Sequence, residues 1–216
     1  CAFWLDIRER YSVEPKDDAR LYDLITKASG RGWVIDVAHD TDRVAALVDA
    51  NSLDLRVVHM VRKRQAVVNS RLRRLYGRGI IDPYRPSRVQ KIFKVGRRHQ
   101  QFLDRMKRIR ERAGERWLEV DYDRLCLDPE AGLARLGTFL GLDCSAVATR
   151  IAAGLPLERV PHLIRGNGRL RQADTIVVKR DAEFVTELSL LDRWLYAAGA
   201  GVAQIAGRSR LTSDGR

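Results

Sequence analysis

The chain has 216 residues, of which 45% are hydrophobic and 7% aromatic, and 40 Lys and Arg against 28 Asp and Glu give a formal charge of +12. That length can hold one domain with a full core, and no apolar run approaches the roughly 18 residues that cross a bilayer, which argues against a membrane-embedded protein. The charge draws polyanions and phosphorylated ligands, so nucleic acid has to be weighed, while Cys1, Cys126 and Cys144 form neither a metal spacing nor an even disulfide set.

Residues 18–28, DARLYDLITKA, carry Leu21, Leu24, Ile25 and Ala28 at helical spacing, with Asp17 or Asp18 as N-cap and Gly30 and Gly32 as the stop. WVIDV, residues 33–37, reads as a short buried strand that gives way to His39, Asp40 and Thr41 and then to a helix over DRVAALVDA. LRVVHMV, residues 55–61, is a second apolar strand, and a helix from about Gln65 to Leu75 follows it. Strand and helix alternating in this way predict an α/β fold with a parallel sheet.

A loop marked by Gly77, Gly79, Pro83 and Pro86 precedes one long Arg-rich helix over 88–112, with a thin apolar stripe of Val89, Ile92, Phe93, Phe102, Met106 and Ile109. RWLEVDY, residues 116–122, is a third strand. Asp128 and Pro129 then start a helix that Gly141 ends, and another helix covers about 144–153. A basic loop at 159–172 leads to a last helix from about Asp181 to Ala198, and the polar residues after Gly207 read as a disordered tail, leaving 1–207 as a single domain.

Chemistry concentrates where the second strand ends. In an open parallel sheet, ligands sit beyond the carboxyl ends of the strands. Arg62 stands at such an end, at the start of a helix whose free N–H groups and dipole favour an anion, and its planar fork matches phosphate oxygens. Ser70, about two turns into that helix, adds a hydroxyl donor. The same residues also fit a solvated charge run followed by an ordinary helical serine, so the reading turns on the rest of the chain.

Four segments in order supply that support. The stretch from Arg62 to Ser70 resembles the 3′-phosphate-binding segment of sulfotransferases that use 3′-phosphoadenosine-5′-phosphosulfate (PAPS). WLEVDYDRLCLDPEAGLARLGTFLGL is similar to their v-x-Y-E-x-L strand and the helix after it. HLIRGNGRLR, residues 162–171, resembles their H-x-x-x-GN-x-x-R segment, and CAFW at the start resembles their C-x-FW segment. Together these cover most of the chain, from residue 1 to about 198.

The resemblance implies a P-loop NTPase-like parallel sheet flanked by helices, with PAPS as co-substrate and no metal. Arg62 and Ser70 would hold the 3′-phosphate, with Gly166, Asn167, Arg169 and Arg171 in the same nucleotide pocket. The family's Gly-rich 5′-phosphosulfate loop has no counterpart here, so the first strand and that loop are expected upstream of Cys1, and the fragment alone is expected to be inactive. The family's RDPR turn appears as Arg62-Lys63-Arg64-Gln65, without its acid, its proline and its second arginine, and the D-S-S-K-like strand end as Asp36-Val37-Ala38-His39. A cytoplasmic setting is implied for a bacterial-type member, or the Golgi lumen if a membrane anchor precedes the chain.

His39, after a strand end, is the candidate base or donor to the leaving oxygen, and it equally fits a turn histidine. Asp36 would orient it or bind the acceptor. His59 reads as a packed strand residue, His99 as an exposed one on a charged helix, and His162 as an orderer of its loop. Glu119 or Asp121 faces outward or caps the next helix. Trp4, Trp33, Trp117 and Trp194 read as core, Trp4 also fitting an acceptor pocket. The basic helix suggests an anionic or sugar-like acceptor such as a glycan or glycolipid, although a solvated face explains the same residues; the acceptors expected are a carbohydrate, a glycolipid or a small metabolite. The competing readings are a nucleic-acid-binding protein, a nucleotide kinase of related topology, and a sulfotransferase-like scaffold without activity; the oligomeric state is left open.

Overall fold

The first helix, α1 (Ala2–Val13), falls on the stretch that begins with the CAFW segment, where periodicity gives no helix. The structure is a computed structural model that describes residues 2–13, 18–37, 40–50, 53–77, 79–82, 84–158, 175–179 and 189–213. It resolves into two compact units, each built from separated stretches of chain.

The first unit comprises 1–57, 115–118 and 128–178. Here α1 packs on α2 (Asp18–Ser29), which Gly30 stops by turning to a φ of 63° that other residues avoid. Asp40 opens α3 (Thr41–Ala50), its carboxylate accepting the backbone N–H of Asp42 at 2.9 Å.

Residues 33–37 are a correction to the sequence reading. They form no strand, and Trp33, Ile35 and Val37 are 43%, 86% and 59% exposed. An apolar run becomes a strand only if a neighbour pairs with its backbone, and none of the described strands does.

Later in this unit, α7 (Pro129–Leu140) begins as its residues dictate, with Asp128 accepting from the Ala131 N–H at 3.0 Å, and it ends at Gly141, φ 69°. It packs on α8 (Ser145–Ala152), and two two-residue strands, β3 (Leu157–Glu158) and β4 (Thr175–Ile176), pair antiparallel nearby in sequence. Strands this short leave no period to read in the sequence.

The second unit comprises 58–114, 119–127 and 179–216. It holds all of strand β1 (Val57–Val61) but Val57 and the last three residues of β2 (Trp117–Asp121); the two strands pair in a small parallel sheet, and between them the chain runs through α4 (Arg64–Gly77) and α5 (Ser87–Ala113). A one-turn 3₁₀ segment (Gly114–Arg116) enters β2, and a short helix α6 (Tyr122–Leu127) leaves it. The last helix, α9 (Leu190–Ser213), lies along α5 and runs past the expected end at Ala198, through the first residues of the expected tail. Residues 181–188, expected to start this helix, lie outside the described residues.

The core of this unit joins Val68 and Leu72 of α4, Ile81, Ile92 and Val95 of α5 and its approach, and Leu195 and Tyr196 of α9. Gly96 and Gly199 let α5 and α9 touch backbone to backbone: a Cβ at either would strike a carbonyl of the other helix. An ion pair closes one end, where the Arg88 guanidinium donates to the buried Asp192 carboxylate, Nε to Oδ1 at 3.1 Å, and to the Tyr76 hydroxyl at 3.0 Å.

Three side-chain expectations are corrected here. His99 is buried, because it falls on the same face of α5 as Ile92, Val95 and Met106; its charged sequence neighbours occupy the opposite face. Val89, placed in the apolar stripe, is 45% exposed, one turn before the packing begins. Trp33 and Trp194 are exposed rather than core, whereas Trp4 and Trp117 are half-buried.

Candidate functional site

Arg62 follows β1 directly and precedes the first residue of α4 by two positions, so the strand end and the helix N-terminus meet at this one side chain. It is half-buried, with its Nε and Nη2 shut off from solvent. Its guanidinium lies over the Tyr122 ring, with Cζ 5.0 Å from the centroid, a distance at which the electron-rich face of the ring attracts the cation. Tyr122 is in turn tied at its other end, its hydroxyl donating to the Lys179 carbonyl at 2.9 Å.

The backbone beside Arg62 is held separately. The Lys63 N–H donates to Asp123 Oδ2 at 3.4 Å, and Asp123 is only 3% exposed. Ser70 is exposed on α4, one turn beyond the buried Ala66 on the same side of the helix. Arg62 and Ser70 therefore share one compact unit, on a strand end and the helix that follows it.

Asp36 lies in the first unit and is engaged twice. It accepts from the Tyr22 hydroxyl at 2.7 Å and pairs with Arg43 Nη2 at 3.0 Å. Burial, then the hydrogen bond to Asp36, pushes the Tyr22 phenol up to about 12, so Tyr22 keeps the proton it donates. His39, and with it Gly166, Asn167, Arg169, Arg171 and His162, lies outside the described residues.

The remaining candidates fall into structural places. His59 is packed on the strand as expected, with Nδ1 3.7 Å from Glu119 Oε2 and its ring 6.5 Å from that of Phe102. Burial lowers its pKa below the usual value, against the opposing pull of Glu119. Asp121 caps α6 by accepting the Arg124 N–H at 3.0 Å. Among the described residues no three His, Cys, Asp or Glu side chains gather to hold a metal, and no helix is long and apolar enough to cross a membrane. A groove of about 540 Å³ in the first unit, lined among others by Leu133, Gly137, Leu142 and Cys144, contains none of the candidate residues.

Sequence reasoning missed Tyr122 and Asp123 as neighbours of Arg62, sixty positions away in the chain. The signal open to it was their place at the end of the third predicted strand, Tyr122 its last residue and Asp123 the next, beside the second strand in a parallel sheet.

A family model described as the sulfotransferase family matches residues 19–146, more than half of the chain and spanning Arg62, Ser70, Tyr122 and Asp123. Among curated proteins and among solved structures none matches. The match agrees with a small parallel sheet amid many helices. The chain belongs to the sulfotransferase family, whose chemistry is the transfer of a sulfuryl group.

Proposed function

We propose that the protein transfers the sulfuryl group of PAPS to a hydroxyl or amine of an acceptor, with Arg62 and Ser70 binding the 3′-phosphate of the nucleotide. The observation that carries this reading is the setting of Arg62: a half-buried guanidinium at the end of β1 and the start of α4, steadied on its flank by the Tyr122 ring. Such a group presents fixed positive charge where a helix N-terminus already favours an anion. PAPS supplies the activated sulfuryl group.

In this reading Gly166, Asn167, Arg169 and Arg171 complete the nucleotide pocket. His39 takes the acceptor's proton, and Asp36, already fixed by Tyr22 and Arg43, orients it or holds the acceptor. Residues 1–207 act as one sulfotransferase domain, consistent with a family match that draws on both compact units. The setting proposed is cytoplasmic.

The outer face of α5 bears on the acceptor. Lys94, Arg97, Arg98, Arg105, Arg108 and Arg112 are all exposed and fall within about a third of the helical circumference, with no acid among them. An anionic carbohydrate or lipid headgroup fits such a face. Nucleic acid is the second reading that the same face favours.

The test is calorimetric binding of 3′-phosphoadenosine-5′-phosphate and of AMP to the full-length protein. The 3′-phosphate is expected to tighten binding; Arg62→Ala should lose about ten- to a hundredfold and Ser70→Ala about three- to tenfold, since the guanidinium brings a positive charge and several donors to the phosphate and the hydroxyl only one uncharged donor. Equal affinity for the two nucleotides in the parent protein overturns the proposal.

A further inference from the structure

The turn that presents Arg62 carries no residue that stiffens it ahead of α4. Arg62-Lys63-Arg64-Gln65 contains no proline and no acid, and three adjacent cations repel one another. Yet the turn is gripped at two points by consecutive residues of one distant segment. The Tyr122 ring backs the Arg62 guanidinium at 5.0 Å, and the Asp123 carboxylate takes the Lys63 N–H at 3.4 Å.

Asp123 is an expensive residue to keep for packing alone. It is 3% exposed, and its Oδ1 is buried with no hydrogen-bond partner among the described residues. A buried carboxylate oxygen in that state costs about 1–3 kcal/mol, so its presence calls for a use other than stability. Tyr122 is similarly fixed at both ends, by Arg62 on its face and by the Lys179 carbonyl at its hydroxyl. Lys179 in turn lies eight positions after Arg171, at the far end of the stretch that carries Gly166 and Asn167.

We infer that Tyr122 and Asp123 are positioning residues for the nucleotide site: the ring fixes the direction of the Arg62 side chain and the carboxylate fixes the backbone that carries it. Together they replace the rigidity that the turn's own residues lack. The inference rests on the proposal that Arg62 binds the 3′-phosphate. It adds that Arg62 is effective only when held in advance, since an arginine that must be ordered on binding loses side-chain entropy at that step.

The readout is the 3′-phosphate preference, the ratio of AMP to 3′-phosphoadenosine-5′-phosphate dissociation constants, measured on the full-length protein and on Tyr122→Leu, Tyr122→Phe, Asp123→Ala, Asp123→Asn and Arg62→Ala. Tyr122→Leu and Asp123→Ala are each expected to lower the preference about three- to thirtyfold while leaving AMP affinity unchanged. Tyr122→Phe, which keeps the ring, and Asp123→Asn, which keeps an acceptor, should retain most of it. Added to Arg62→Ala, Tyr122→Leu should lower it no further. If the parent prefers the 3′-phosphate, Arg62→Ala abolishes that preference and Tyr122→Leu preserves it, the inference is overturned and the proposed function stands. If the parent shows no preference, both fall. Should Asp123→Ala not fold, the comparison of Leu with Phe at position 122 decides alone.

Discussion

His99 shows what burial does to one side chain in a strongly basic chain. It stacks against Phe102 and meets the Tyr196 hydroxyl, and burial first, then the charges of Arg71 and Arg64, lowers its pKa from the ordinary 6.5. Burial raises the Tyr196 phenol to about 12, so the tyrosine donates and the neutral imidazole accepts at Nδ1. On unfolding, His99 regains its ordinary proton affinity. Since the unfolded chain then binds more protons, stability is intact above about pH 6.5 and declines below it, by at most about 1.4 kcal/mol per pH unit from this residue. His59, also lowered by burial, acts in the same direction. The urea midpoint is expected to fall between about pH 7 and pH 5, and His99→Gln should flatten that fall; an unchanged slope would remove His99 from the account. Legibility at this scale followed locality. The place of Arg62 between a strand and a helix could be read because the three are contiguous, whereas its contact with Tyr122 and that of Lys63 with Asp123 depend on a pairing sixty residues long.

Helices were read well where their signals are local and poorly where they depend on a partner. Asp128, Pro129 and Gly141 bound α7 as the sequence indicates, because a cap needs only its own first or last turn. By contrast, WVIDV has the apolar character of a strand but no paired neighbour among the described residues, and α9 runs on to Ser213, past the end at Ala198 that the sequence reading gave it. The crossing of α5 and α9 makes its own prediction. Gly96→Ala and Gly199→Ala each drive a methyl into a carbonyl of the opposite helix and should destabilise the protein by about 1–3 kcal/mol or more, since backbone cannot swing aside. Gly201→Ala, on the same helix with nothing within 4 Å of its added carbon, should be neutral or stabilising by up to about 1 kcal/mol. Chemical denaturation of the three variants checks the contrast; equal effects at 199 and 201 would mean that the two helices do not meet through these glycines.

Across the whole molecule, the excess of positive charge makes salt dependence the test between a protein that binds one nucleotide and one whose basic α5 face binds nucleic acid. A single nucleotide held by a few groups should lose less than about tenfold in affinity between 50 and 200 mM salt, whereas duplex DNA spread over six or more phosphate contacts should lose about a thousandfold or more. Titrating both across that range decides: DNA binding that is tight at 50 mM salt and falls this steeply supports the nucleic-acid reading, and DNA binding already weak at 50 mM removes it. The second unit also has a consequence in time. Its β1, α4 and α5 are all made before α9, the helix whose Leu195 and Tyr196 complete their core. At about 5 to 20 residues per second, the apolar sides of α4 and α5 stand outside the ribosome for several seconds before α9 arrives to cover them. The nascent chain, rather than the finished protein, is therefore the form in most need of a chaperone.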